Sequence, residues 1–193
     1  MPPKVRVTKE EIAQVAFDIV RKNGIDALNA RSIAQTLECS TQPIFSNYES
    51  MAELQREVIK KAYELHLTYR EREISSGEYP SYKASGIAYI RFAKEEKMLF
   101  KLLFMSGAED IEDCDIAKND WNSTVESIVG YAGVSENKAE TFHLEMWMFV
   151  HGVAAMCATG NIELQMEHIS KMLSDVYLGV RSRYEVKENN AEH

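Results

Sequence analysis

Asn29-Ala30-Arg31-Ser32-Ile33-Ala34-Gln35-Thr36-Leu37-Glu38-Cys39-Ser40-Thr41-Gln42-Pro43-Ile44-Phe45-Ser46-Asn47-Tyr48 is the stretch that decides how this chain is read. Asn29 is a good N-cap for a short helix over 30–37, because its side-chain oxygen can accept from first-turn amides. Ile33, Ala34 and Leu37 recur at three- and four-residue spacing and share one face. Ser40 is placed to cap a following helix over 41–47. Pro43 falls in its first turn, where a missing N–H costs nothing. Ile44 and Tyr48 turn inward, leaving Thr41, Gln42 and Ser46 outward. The turn between the two helices is Glu38-Cys39-Ser40.

The same signals recur outward from this stretch. Upstream, Thr8-Lys9-Glu10-Glu11 is a capping box. Ile12, Ala16, Ile19 and Val20 form one apolar stripe behind it, and Asn23-Gly24 stops a helix over 9–23. Downstream, Ser50-Met51-Ala52-Glu53 is a second box. It opens a long helix through Leu54, Val58, Ala62, Leu65 and Tyr69 that ends before Ser75-Ser76-Gly77. Further helices are predicted over 82–94, 96–105 and 116–131. Ser135 caps the next, which runs to Thr159 with Gly160 as its stop, and a last helix covers 164–184. Within these, Phe142 to Ala158 is nearly all apolar. It is too short for a bilayer span and carries His143, Glu145 and His151, so a helix buried inside the protein is expected. No run alternates with period two for long. The fold class is therefore all-α, with about nine helices.

Composition sets bounds on function. The chain has 193 residues, 45% hydrophobic and 27% charged, ordinary for a soluble globular protein of one or two domains. Lys+Arg 22 against Asp+Glu 30 gives a net charge of -8, which excludes a uniformly basic nucleic-acid coat but not a local patch. Cys39, Cys114 and Cys157 are odd in number and widely spaced. They make neither a disulfide framework nor a zinc knuckle, and reduced thiols in a cytosol fit best. Met1 to Lys9 is polar and lacks the apolar stretch of a signal peptide. A cytoplasmic protein with no membrane partner is expected. Glu140 and His143 have the Glu-x-x-His spacing of di-iron bundles, which need two such motifs and two further Glu, where one is present. With no phosphate-binding loop and no nucleophile elbow, no metal, no cofactor and no enzymatic activity are expected.

The segment from Ala30 to Leu54, with the helix ending at Asn23-Gly24, resembles the N-terminal domain of the TetR (tetracycline-repressor) family of homodimeric bacterial transcription regulators. Tyr89-Ile90-Arg91-Phe92-Ala93, Leu99 to Phe104, and Trp147-Met148-Phe149-Val150-His151-Gly152 resemble the branch of that family with a Trp-x-x-x-His-Gly signature. The resemblance covers about residues 8–183. It implies a helix-turn-helix DNA-binding domain over 1–50, a helical ligand-binding and dimerisation domain over 51–186, and a polar tail over 187–193. It implies a homodimeric regulator, expected to be a repressor, that binds a palindromic double-stranded operator and is released by a small molecule. The alternative is a helical small-molecule-binding protein that has lost specific DNA binding.

On this reading Thr41, Gln42 and Ser46 face base edges, with Gln suited to adenine, and Phe45 is a further DNA-binding position. Asn29, Arg31, Asn47 and the amides near Ser40 and Ser50 hold phosphates. Three positions depart from the family. Glu38 stands where it has Gly in the turn. Phe45 and Met51 stand where it has a Tyr and a Lys that touch phosphate. Residues 1–50 also sum to zero charge, with Lys4, Arg6, Lys9, Arg21, Lys22 and Arg31 against Glu10, Glu11, Asp18, Asp26, Glu38 and Glu49. Weak nonspecific binding and a shallow salt dependence follow.

The middle and end of the chain are rich in aromatics and methionine: Tyr82, Tyr89, Phe92, Phe100, Phe104, Met105, Phe142, Met146, Trp147 and Met148. These make either a packed core or the walls of a small-molecule cavity. The resemblance implies the cavity, with Phe104, Phe142, Trp147 and His151 as its lining and a lipophilic or aromatic effector. His143, Trp147 and His151 recur every four residues on one helix face. His151 is either a donor that orients the ligand or a core histidine bonded to a carbonyl. The last two helices are expected to pair with their copies in a four-helix dimer interface, where Gly152, Ala154, Ala155 and Ala158 permit close approach.

Overall fold

Thr8 accepts the amide of Glu11, and the Glu11 carboxylate accepts the amide of Thr8 at 2.8 Å, so α1 (Lys9–Asn23) begins with a complete capping box. In a computed structural model, residues 7–106, 124–126, 128–129 and 133–185 are described, and every regular element among them is helical. They divide into two compact units, residues 7–65 with 96–106, and residues 66–95 with 124–126, 128–129 and 133–185.

In the first unit, Gly24 ends α1 at φ 84, and a 3-10 turn over Ile25–Ala27 leads to Asn29. The Asn29 side chain accepts from Arg31 and Ser32 and starts α2 (Ala30–Thr36). The amides of Cys39 and Glu38 close α2 by bonding the carbonyls of Ala34 (2.9 Å) and Gln35 (3.3 Å). This 6→1 and 5→2 pair puts its left-handed residue at Glu38, φ 51, the one non-glycine residue among those described with positive φ. Next, α3 (Gln42–Asn47) starts one residue later than expected. Its cap position falls to Thr41, whose side chain makes no capping bond, so Ser40 is not the cap. Pro43 lies in the first turn as expected. Ile12, Ala16, Val20, Ile33, Ile44 and Tyr48 form the core of these helices. The Ser50 hydroxyl accepts from Glu53 at the start of α4 (Met51–Ser75), but the Glu53 carboxylate accepts from Glu49 rather than from Ser50. The residues of α4 are shared between the two units. A later helix, α6 (Lys97–Phe104), packs on α1, where Arg21 grips the buried Glu96 carboxylate with two N–H groups.

In the second unit, α5 (Ser81–Glu95) lies along α7 (Glu136–Ala158), and α8 (Met166–Glu185) packs on both. Tyr82 pairs with His143 and Tyr89 with His151, so α5 and α7 run parallel. Gly86 lies between these two rungs, and a Cβ there would sit 3.5 Å from Val150 and 3.6 Å from Leu173. Arg91 donates to the buried Glu73 carboxylate at 2.6 Å, joining α5 to α4. Ser135 occupies the cap position of α7, but its hydroxyl turns to the Asn137 side chain and caps nothing. Of the helix expected over 116–131, residues 124–126 and 128–129 are helical; the others, and Cys114, lie outside the described residues.

The apolar segment of α7 is not buried all round. Phe142, Met146, Val150, Ala154 and Cys157 are buried, while Met148 is 59% and Met156 46% exposed. Leu178 of α8 is also 59% exposed. The neighbours α5 and α8 cover one side of α7, and the apolar residues on the other side have no cover from this chain's described residues. No helix among those residues is long and apolar enough to cross a membrane.

Candidate functional site

The outward face of α3 is built by what the helix turns inward. Burying Ile44 and Tyr48 leaves Gln42, Phe45 and Ser46 exposed, with Phe45 at 54%. The Tyr48 hydroxyl donates to Glu57 at 2.8 Å, and the Lys9 ammonium sits 4.4 Å over its ring. Burial, then that carboxylate, holds the Tyr48 phenol far above its usual range. Lys9 is paired with Glu53 at 3.0 Å, which offsets one of the few cations of this segment.

Several expected DNA contacts are engaged within the fold. The Asn29 oxygen caps α2, and its amide donates to the Ala27 carbonyl at 3.3 Å. The Asn47 amide donates to the Pro43 carbonyl at 2.8 Å, and the Ser46 hydroxyl donates to the Gln42 carbonyl at 2.9 Å. Arg31 and Ser40 are exposed, and Thr41 is half-buried. Arg31, Ser40, Gln42 and Phe45 therefore remain with outward side chains that no described group has claimed.

The second unit holds a seam of histidines and tyrosines. Nδ1 of His143 lies 3.0 Å from the Tyr82 hydroxyl, and Nδ1 of His151 lies 3.0 Å from that of Tyr89. Trp147 stacks on His151 with ring centroids 5.0 Å apart. His66 of α4 meets the Tyr89 and Phe92 rings edge-on at 5.6 and 5.1 Å. Arg70, one turn further along α4, donates to Ser85 at 3.2 Å and to Thr124 at 3.3 Å. Burial first, then the Arg70 charge, lowers both His66 and His143 to about 4. Burial also lowers His151. His66 and His143 are thus neutral at pH 7, when each can both donate and accept.

Of the four residues expected to line a cavity, the structure brings Trp147 and His151 into contact. Phe142 is fully buried in an aromatic core with Tyr177 at 5.8 Å and Tyr184 at 5.5 Å. Phe104 belongs to the first unit, against Phe100 at 5.2 Å and Tyr63 at 6.4 Å. Nδ1 of His151 has a tyrosine hydroxyl as its partner. Sequence reasoning passed over His66 and Arg70. Their signal was present in the spacing of His66, Tyr69, Arg70 and Glu73, a polar continuation of the stripe on the long helix. Among the described residues no group of three or more His, Cys, Asp or Glu could hold a metal ion.

A longer helix and two short ones in helix-turn-helix order, followed by a second unit whose described elements are all helical, define a helix-turn-helix protein of two units. Residues 82–176 match the family model of the tetracyclin repressor-like C-terminal domain. Over those residues, just under half of its length, the chain is similar to that family. Its fold is similar to that of a TetR-like transcriptional regulator from Rhodococcus sp. RHA1, at 16% identity and a TM-score of 0.62, covering 95% of this chain and 97% of that one. A protein of unknown function from Rhodococcus sp. RHA1 is similar at 18% identity and a TM-score of 0.72, covering 92% and 97%. The multidrug binding protein EbrR, solved with imidazole, is similar at 12% identity and a TM-score of 0.60, covering 90% and 94%. No curated protein matches the chain.

Proposed function

We propose that this chain is a ligand-responsive DNA-binding transcription regulator, acting in the cytoplasm as a homodimeric repressor without a catalytic step. The observation that carries the reading is the helix-turn-helix unit with Gln42 and Phe45 outward on α3 and Arg31 outward on α2. A helix of this kind fits the major groove, with Gln42 reading an adenine edge. Arg31 and the Ser40 hydroxyl fix the register on phosphates.

Dimerisation supplies the second recognition helix, about 34–36 Å away or a multiple of that, as a palindromic operator demands. The exposed Leu144, Met148 and Met156 of α7, with Met172 and Leu178 of α8, are the surface we assign to it. Gly152, also exposed, permits close approach. The effector is a lipophilic or aromatic small molecule, held beside Trp147 and His151, where the ring face offers stacking and the imidazole a polar anchor. It acts through α4, whose residues belong to both units, by binding one of two arrangements more tightly than the other. A gel shift with the DNA upstream of the chain's own gene tests the proposal: a retarded complex is expected, and no retardation at low ionic strength refutes it.

A second reading is favoured by one group of observations. Phe45 and Met51 lack phosphate-binding groups, and Asn29 and Asn47 are engaged with the backbone. A chain that had lost operator binding and only sequesters a small molecule would look the same at these positions. The same gel shift separates the two.

A further inference from the structure

A phenylalanine on the solvent face of a six-residue helix needs an explanation, because burial of its neighbours Ile44 and Tyr48 would be unchanged by a polar residue there. Phe45 is 54% exposed, the most exposed large apolar side chain among the described residues of the first unit. Gln42, three residues earlier, is also exposed, and residues at i and i+3 are neighbours on a helix surface. The remaining polar groups on this face are partly engaged, since the Ser46 hydroxyl donates to the Gln42 carbonyl and the Asn47 amide to that of Pro43. The side chains that α3 presents with no bond inside the fold are one amide and one phenyl ring.

Resting on the DNA-binding reading above, we infer that Phe45 is a specificity-determining residue that packs against the 5-methyl group of a thymine in the major groove, next to the adenine edge read by Gln42. The chemistry fits both partners. A phenyl ring can neither accept nor donate a conventional hydrogen bond, so it cannot hold a phosphate. Thymine is the one base that displays a methyl group in the major groove, and apolar side chains recognise it there. Burying ring and methyl together removes apolar surface from water on both sides. The face therefore reads A·T pairs through two different groups, an amide to N6 and N7 of adenine and a ring to the methyl of thymine.

The test begins with a random-sequence duplex pool, from which the full-length wild-type protein selects its site at low ionic strength. Each thymine of that site is then replaced by uracil, which removes only the methyl. At one thymine per half-site the wild type loses affinity by about fourfold, the value of one buried methyl. Phe45→Ala, which leaves the inward face of α3 unchanged and is checked by its melting curve, shows no such loss at that position. Persistence of the loss in Phe45→Ala assigns the methyl to another reader, such as Thr41, and overturns the inference. Indifference of the wild type to every uracil overturns it too, while leaving DNA binding intact. Selection of no sequence at all overturns the DNA-binding reading and this inference with it.

Discussion

Acidification from pH 7.5 to 5.0 removes a calculable part of this protein's stability. His66 is 5% exposed and lowered to about 4, from 6.5 in an unfolded chain. Between those two values the unfolded state binds the proton that the folded state refuses. Stability is complete above 6.5 and falls as pH drops through the window toward 4. At pH 5.0 the unfolded histidine is almost fully protonated and the folded one almost fully neutral, a loss of about 2 kcal/mol. His143 has the same direction and value but lies in a half-buried site where solvent screens the charge, so about half that loss is assigned to it. The sum, about 3 kcal/mol, is a large fraction of the stability of an ordinary domain. Urea titrations at fixed protein concentration and a series of pH values read it directly. His66→Gln removes one titrating group, and its stability should fall by about 2 kcal/mol less over the same range. If His66→Gln and wild type lose stability in parallel, burial of His66 is not the cause and the reasoning fails.

Three further perturbations have definite signs. Glu38→Gly relieves a left-handed residue at φ 51 and should raise stability by about 0.5–1 kcal/mol, read from the urea midpoint; an unchanged midpoint means the turn stores no strain. Met51→Lys restores a phosphate-binding ammonium at the start of α4 and should steepen the log–log salt dependence of DNA binding by about 0.9, whereas a parallel line places residue 51 away from the duplex. Met148→Glu puts a charge on the uncovered apolar side of α7. Sedimentation should then find a monomer with unchanged helix content, and a persistent dimer would move the interface elsewhere.

Where a feature is decided by residues close in sequence, it was legible before any coordinates. Thr8 with Glu11, Asn29, Gly24 and Gly160 mark helix ends within a residue or two, because caps act through hydrogen bonds or backbone angles that span only a turn. Ser135 marks the cap position but not the capping bond, because its hydroxyl goes to Asn137, and Ser40 lies one residue before the cap position, which falls to Thr41. What depends on distant packing was not legible. That α6 packs on α1 rests on Arg21 and Glu96 meeting across seventy-five positions. The pairing of Tyr82 with His143 and Tyr89 with His151 needs the register of α5 on α7, which neither helix encodes alone. The apolar run in α7 gave no direction, because a stretch apolar on all sides has no periodicity to say which side stays uncovered. At the candidate site, the outward turn of Gln42 and Ser46 was readable from the inward one of Ile44 and Tyr48, whereas Thr41, expected outward, is half-buried. The engagement of Asn29 and Asn47 with carbonyls was not, since amides serve equally well in either role.

Equilibrium titration of a labelled upstream duplex with wild-type protein and with Gln42→Ala, beside a scrambled duplex of equal length, reaches the central assignment most directly. Wild type should prefer the upstream duplex by about a thousandfold or more. Gln42→Ala should forfeit about tenfold or more of that preference while binding the scrambled duplex unchanged. Equal affinity of wild type for both duplexes, or none for either, would contradict the assignment.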